Sequence, residues 1–311
     1  MDQKPKVSVA LITYNQERYI KESLNSIFTQ KTDFDFEVVI GDDCSTDYTL
    51  QIISKEIEQY SNYNLLVSKQ NVGMQKNWIR TLQSCKGSYI AICEGDDYWI
   101  DENKLQLQYD FMEAHPEVSF CYTNVSILYK DELLSTEMIE SKPNLPIFDI
   151  EYYINHGNIV VPTLSIFYRK DAIPNPLPEW IYSTFNLDWT LVFFFLQKGK
   201  GAFLDKNTGV YRIHPKGINT ATDFPKKMIY GIQLAKNLDK YYNQKYHAFF
   251  DLQWRYQKLC MYYLQKKSFL HALYYFNICF FRNPVYCVKN GVFLKSVFVL
   301  FLNKIFKTSV K

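Results

Sequence analysis

No stretch of this chain reaches the roughly 18 consecutive apolar residues that a membrane-spanning helix requires. The opening segment, MDQKPKVSVALITYN, has neither a long apolar core nor a small-residue cleavage site, so no cleaved secretion leader is expected. Seven cysteines are scattered among 311 residues without a single CxxC pair. Their odd number and wide spacing argue against a disulfide framework and a structural zinc site, and free thiols in a reducing cytoplasm are the simplest expectation. Acids are scarce at one end. Residues 225–311 hold only Asp239 and Asp251 against 15 Lys or Arg, whereas residues 1–224 hold 30 acids against 20 bases. An acidic body with a basic tail points to an anionic partner surface. From charge alone, nucleic acid, a membrane and plain solvated lysines all remain open.

What is present reads as an ordinary globular chain, 47% hydrophobic and 22% charged, with a high aromatic content of 17%. VSVALI (7–12), FEVVIGDD (36–43), LLVSK (65–69) and YIAIC (89–93) are short, β-branched-rich runs that predict buried strands. Between them, apolar residues recur at helical spacing: Ile20, Leu24, Ile27 and Phe28; Leu50, Ile53, Ile57 and Tyr60; Met74, Trp78 and Leu82. Leu105, Tyr109 and Met112 mark a fourth helix, entered from Asp101 and ended before Pro116. This alternation predicts an α/β fold with a mostly parallel sheet flanked by helices. From 118 to 170 the pieces shorten, which fits a mixed or antiparallel extension. PNPLPEW (174–180) reads as a loop, and NLDWTLVFFFLQKGKG as a helix that is apolar nearly all round and therefore buried, stopping at Gly199.

Parallel sheets bind ligands at the carboxyl ends of their strands. Three polar clusters fall there: TYNQE after the first strand, GDDCSTD after the second and EGDDYW after the fourth. Glu94, Asp96 and Asp97 crowd together at a strand end, where like charges repel and desolvation is costly. A hard divalent cation that takes one or two carboxylates together with substrate phosphates would relieve that repulsion. A solvated acidic turn capping a helix is the alternative. Asp42 or Asp43 suits hydrogen bonding to a base or ribose. Ser45, Thr46 and Asp47 suit helix capping equally well, and for Asp47 capping is preferred. Trp99 and Trp180 suit stacking on sugar faces or simple packing.

The successive blocks VSVALITYNQERYIKESLNSIFTQ, FEVVIGDDCSTDYT, KQNVGMQKNW and YIAICEGDDYWIDENKLQLQ resemble glycosyltransferase family 2, in order and spacing. NLDW and GVYRIHPKG extend the resemblance over roughly residues 5–218. It implies a GT-A, Rossmann-like fold, Mg²⁺ or Mn²⁺, and a nucleoside-diphosphate-sugar donor, UDP-type by preference. By resemblance, Thr13, Tyr14, Asn15 and Glu17 wrap the nucleotide. Asp42, with Asp43 beside it, reads the base, and Asn71 and Gly73 form a turn near the ribose and pyrophosphate. Glu94-Gly95-Asp96 occupies the Asp-x-Asp position. Glu94 departs from the commonest first residue, so Asp96 is the preferred metal ligand. Asp188 matches the general base of an inverting transfer. His214 falls near the metal, where a structural hydrogen bond is the other reading. Arg212 suits a planar clamp on the diphosphate, and Arg169 is a weaker phosphate or acceptor candidate.

The expected organisation is a catalytic domain over 1–224 and a basic helical region over 225–311. YYLQKKSFLHALYYFNICFFRNP resembles one degenerate tetratricopeptide-like hairpin. VYCVKNGVFLKSVFVLFLNKIFK (285–307) suits an interfacial helix on anionic lipid, or a terminal helix docked on the domain. The combined expectation is an inverting, metal-dependent sugar transferase acting on a hydroxyl of a glycan or lipid-linked acceptor in surface polysaccharide synthesis. It would work in the cytoplasm, peripheral to the inner face of the plasma membrane, with no nucleic acid partner. A nucleotidyltransferase and a non-catalytic nucleotide-binding or scaffolding subunit are the alternatives.

Overall fold

All seven residues of VSVALIT are buried, because this strand, β1 (Val7–Thr13), lies inside the sheet with parallel partners on both sides. The computed structural model describes residues 4–130, 132–140, 142–143, 146–156, 159–185, 187–246 and 252–289. The chain divides into two units, Met1–Thr220 and Ala221–Lys311.

In the first unit the predicted alternation is realised as β1, α1 (Ile20–Phe28), β2 (Phe36–Asp42), α2 (Thr49–Ile57), β3 (Tyr63–Val67), α3 (Met74–Ser84) and β4 (Tyr89–Glu94). There follow β5 (Tyr98–Trp99), α4 (Lys104–Ala114), β6 (Val118–Tyr129), β7 (Glu132–Ser135), β8 (Ile147–Phe148), α5 (Ile150–Asn155), β9 (Phe167–Arg169), α6 (Leu187–Lys198) and β10 (Lys200–Ile213). The ten strands share one sheet in the order β3-β2-β1-β4-β9-β6-β10-β5, with β7 on β6 and β8 on β10. Strands β1 to β4 are parallel, while β5, β7, β8 and β9 pair antiparallel. This is the expected α/β architecture, with a mixed extension where the sequence pattern changes.

The α1 stripe Ile20, Leu24 and Ile27 is buried against Val9, Leu11, Val38 and Ile40. Burying each such side chain contributes roughly 1.5–3 kcal/mol. Helix α6 is buried from Thr190 through Leu196, as its unbroken apolar run requires. The region 118–170 is less fragmented than its sequence suggests. Strand β6 runs 12 residues, nine of them buried, because β9, β10 and β7 all pair with it.

One phosphate expectation is corrected here, and the packing reading of a tryptophan is borne out. Arg169 lies at the amino-terminal edge of β4 and β6, away from the carboxylate clusters. Its guanidinium donates to the Val118 carbonyl at 2.9 Å, the Tyr89 hydroxyl at 2.6 Å and the Met112 carbonyl at 2.6 Å. It ties strand starts together. Trp99 is turned inward, and its Nε1 donates to the Leu164 carbonyl at 2.9 Å.

The second unit contains α8 (Phe224–Tyr241), α9 (Gln253–Gln265), α10 (Phe269–Arg282) and α11 (Pro284–Lys289), after the short α7 (Ile218–Ala221) that straddles the boundary. Asp223 caps α8 by accepting from Lys226 N at 2.9 Å. Helices α9 and α10 form the expected hairpin, closing on Leu259, Cys260, Leu264, Ala272 and Cys279. Of the segment 285–307, the part from 290 onward lies outside the described residues.

Lys104 is fully buried, its ammonium 4.4 Å from the Trp99 ring centre and hydrogen-bonded to Gln108. Burial lowers its pKa from 10.5 to about 8. Between those values the unfolded chain holds a proton that the folded chain has released, so stability rises with pH across that window. Lys104→Met should flatten this rise, which totals roughly 1–3 kcal/mol. Urea midpoints of both proteins from pH 8 to 10.5 check it, and equal slopes would refute it.

Candidate active site

Strand register brings the first three polar clusters level. Thr13 pairs with Asp42 and Ile12 with Glu94, so β1, β2 and β4 end within one residue of each other. Strand β9 is antiparallel to both β4 and β6, and β10 is parallel to β6. Strand β10 therefore points the same way as β4, and His214, one residue past its end, arrives at the same edge.

At that edge Asp96 Oδ2 stands 2.9 Å from His214 Nε2. Tyr19 packs on the imidazole with ring centres 4.8 Å apart. Glu94 Oε2 is buried without a hydrogen-bond partner. Burial first, then the charges of Asp96 and Asp188, push the Glu94 carboxyl up to about 8. The charge of Asp188 thus reaches Glu94 from the first turn of α6, although 94 residues separate them. Burial also raises the Asp188 carboxyl, while its own N–H and that of Trp189 oppose the rise. The balance between helix N-terminus and desolvation, open from sequence, falls to desolvation.

Asp97 faces away from this group. It is buried, and its Oδ1 accepts from Arg212 N at 2.8 Å. Burial and the neighbouring Asp96 and Glu94 hold its carboxyl well above the usual range. The Arg212 guanidinium donates to the Asp96 carbonyl at 2.8 Å and pairs with Glu22. It sits 4.4 Å from the Tyr98 ring centre and 5.2 Å from that of Tyr19. Its planar fork is thus committed to the protein itself. It holds the 94–97 turn to β10 and α1, a different job from the diphosphate clamp expected of it.

The loops after β1 and β2 are laced together. Asn15, in the left-handed region at φ 52°, accepts from Thr46 N at 2.7 Å, and Glu17 accepts from Tyr48 N at 3.0 Å. Thr13 donates to Gln16 at 2.7 Å, while Tyr14 is exposed. Asp42, fully buried, accepts from Ser45 N at 3.0 Å and from its hydroxyl at 2.5 Å. Asp43 accepts from the amides of Val72 and Gly73 at 2.8 and 2.9 Å. Asn71 also accepts from Gly73 N, at 3.0 Å. The carboxylates of Asp42 and Asp43 therefore shape the loops. Asp47 accepts from Thr49 N at 2.9 Å, the capping role preferred for it. Glu22, Tyr19 and Gln16 were not singled out from sequence. Gln16 lies inside the TYNQE block, but nothing local marks Glu22, whose partner is 190 residues away.

Asp96 and His214 meet, and one buried oxygen of the nearby Glu94 lacks a partner, donors that suit a hard divalent cation whose remaining ligands come from phosphate and water. Among the described residues, no group of three or more His, Cys, Asp or Glu side chains is arranged to hold a metal ion. Sites that share Mg²⁺ or Mn²⁺ with phosphate oxygens do not require such a group.

A twisted, mostly parallel sheet with acids gathered at its carboxyl edge defines the GT-A class of transferase folds. Solved structures agree. S. aureus TarS in complex with UDP-GlcNAc superposes with a TM-score of 0.57 at 20% identity, covering 86% of this chain and 89% of that one. A mannosyltransferase from Pyrobaculum calidifontis, in complex with GDP-Man and Mn²⁺, gives 0.55 at 14% identity, covering 99% and 83%. The family model for glycosyl transferase family 2 matches residues 8–174, and the chain belongs to that family. An uncharacterized protein of Mycobacterium tuberculosis is 33% identical over 213 residues, 68% of this chain. The match spans 60% of that relative's length.

Gly95, the middle residue of the Glu-Gly-Asp turn, has no room for a side chain. A Cβ there would lie 2.5 Å from Gln16 Oε1 and 2.9 Å from Thr13 Oγ1. Gly95→Ala should cost about 1–3 kcal/mol and disturb the turn. A urea melt that matches the parent would refute this.

Proposed function

We propose that this chain transfers a sugar, with inversion, from a nucleoside diphosphate to a hydroxyl of a glycan or lipid-linked acceptor during surface polysaccharide synthesis. The observation that carries the reading is the contact of Asp96 with His214 at one sheet edge, beside Glu94, whose carboxyl feels the charge of Asp188. Two further points support it. The chain belongs to glycosyl transferase family 2, and the superposable TarS holds UDP-GlcNAc, which favours a UDP-type donor.

Asp96 and His214 would hold Mg²⁺ or Mn²⁺, with Glu94 beside them. Such an ion, when bound, neutralises charge on a departing diphosphate. The loops at Thr13–Glu17 and Asp42–Asp47, with Asn71 and Gly73, form the walls of the nucleotide pocket. Asp43 fixes the Val72–Gly73 turn by holding two of its amides. Arg212 positions the Asp96 backbone, and Asp97 anchors the turn from behind. Asp188 accepts the proton of the acceptor hydroxyl as that oxygen attacks the sugar C1, and burial raises its carboxyl above the usual range, which strengthens it as a base. Residues 1–224 would be catalytic. The basic region 225–311 would keep the enzyme at the inner face of the plasma membrane.

Asp188→Asn should lower transfer about 10²–10⁴-fold and leave donor affinity nearly unchanged. Calorimetric donor titration alongside a transfer assay separates the two, and full turnover by the variant would remove Asp188 from this role. Chelation should abolish transfer by the parent, and Mn²⁺ should restore it. Undiminished transfer after exhaustive chelation would remove the metal from the scheme.

A further inference from the structure

Among the described residues, helix α10 carries an exposed apolar face. Leu270 is 83% exposed, Tyr274 60% and Phe281 80%, with Leu273 also exposed. At about 100° per residue these four fall within roughly 100° of arc. The opposite side of the helix carries Ala272 and Cys279, both buried in the hairpin. An exposed apolar stripe of this kind marks an interaction surface. Basic residues flank it, Lys266 and Lys267 before the helix and Arg282 at its end. Residues 252–289 contain six Lys or Arg and no acid at all. A second copy seated on this face would bring the like charges of both chains together, with no carboxylate in the region to offset them. An anionic bilayer answers both features: acyl chains accept the stripe, and lipid phosphates accept the cations.

We propose that α10 lies in the surface of an anionic membrane, with Leu270, Leu273, Tyr274 and Phe281 entering the acyl boundary and Lys266, Lys267 and Arg282 meeting lipid phosphates. The proposal rests on the membrane-facing reading of the basic region and places that contact on α10. It does not depend on residues 290–311.

The test is co-sedimentation of the full chain with vesicles of phosphatidylcholine alone or mixed with phosphatidylglycerol. The parent should bind the anionic vesicles only. Leu270→Ser with Phe281→Ser should weaken binding about tenfold or more. Lys266→Glu with Lys267→Glu should do the same and shift the salt dependence. Melting temperatures near the parent's show that the exposed substitutions leave the fold intact. If the parent fails to bind anionic vesicles, both this proposal and the membrane reading fall. If the parent binds and both variants bind equally well, only the assignment to α10 falls. A concentration-dependent dimer of the parent, lost in the Leu270→Ser, Phe281→Ser variant and formed without lipid, would replace the membrane by a second copy.

Discussion

Everything at the site depends on keeping Glu94, Asp96 and Asp97 together at the end of a buried strand. Left alone, three carboxylates in four residues would repel, splay or take up protons. The fold divides them. Asp97 is drawn inward onto the Arg212 amide, and Asp96 is turned outward to His214. Glu94 remains between them with one oxygen buried and unpartnered. The buried Arg212 guanidinium, stacked between Tyr98 and Tyr19, supplies the fixed positive charge behind the turn. The result is a rigid backbone under a group of side chains whose charge is under-compensated on the open side.

The loops after β1 and β2 follow the same pattern. Their polar side chains are largely tied to one another, so the loops hold their shape through internal hydrogen bonds. Asp42 and Asp43 do this from buried positions by accepting from backbone amides. Preformed loops lose little entropy on binding, which favours a small, densely charged ligand. At the opposite edge, Arg169 and Tyr89 serve only to join strand starts and α4. That edge shows what a cluster of polar residues looks like when its contacts are all satisfied within the protein.

The charge asymmetry between the two units follows the same division of labour. The first unit gathers acids at one edge, and the second lacks them beyond Asp251. Its helices close a modest core and leave an apolar stripe bordered by cations, a surface suited to an interface rather than to a second catalytic site.

Local sequence determined the strand and helix alternation, since burial period and turn residues act over only a few positions. The parallel sheet, the buried α6 and the gathering of TYNQE, GDDCSTD and EGDDYW at one edge were legible for that reason. Asp188 and His214 became legible only through the resemblance of their blocks to a known family. Tertiary structure alone decided which polar groups face outward. Asp96 meets His214 across 118 residues, and Arg212 meets Glu22 across 190. Arg212, Arg169 and Trp99 were all candidates on paper, yet all three are held by internal partners. Periodicity reports whether a side chain is buried; its hydrogen-bond partner is chosen by strand order and register, which only the folded chain defines.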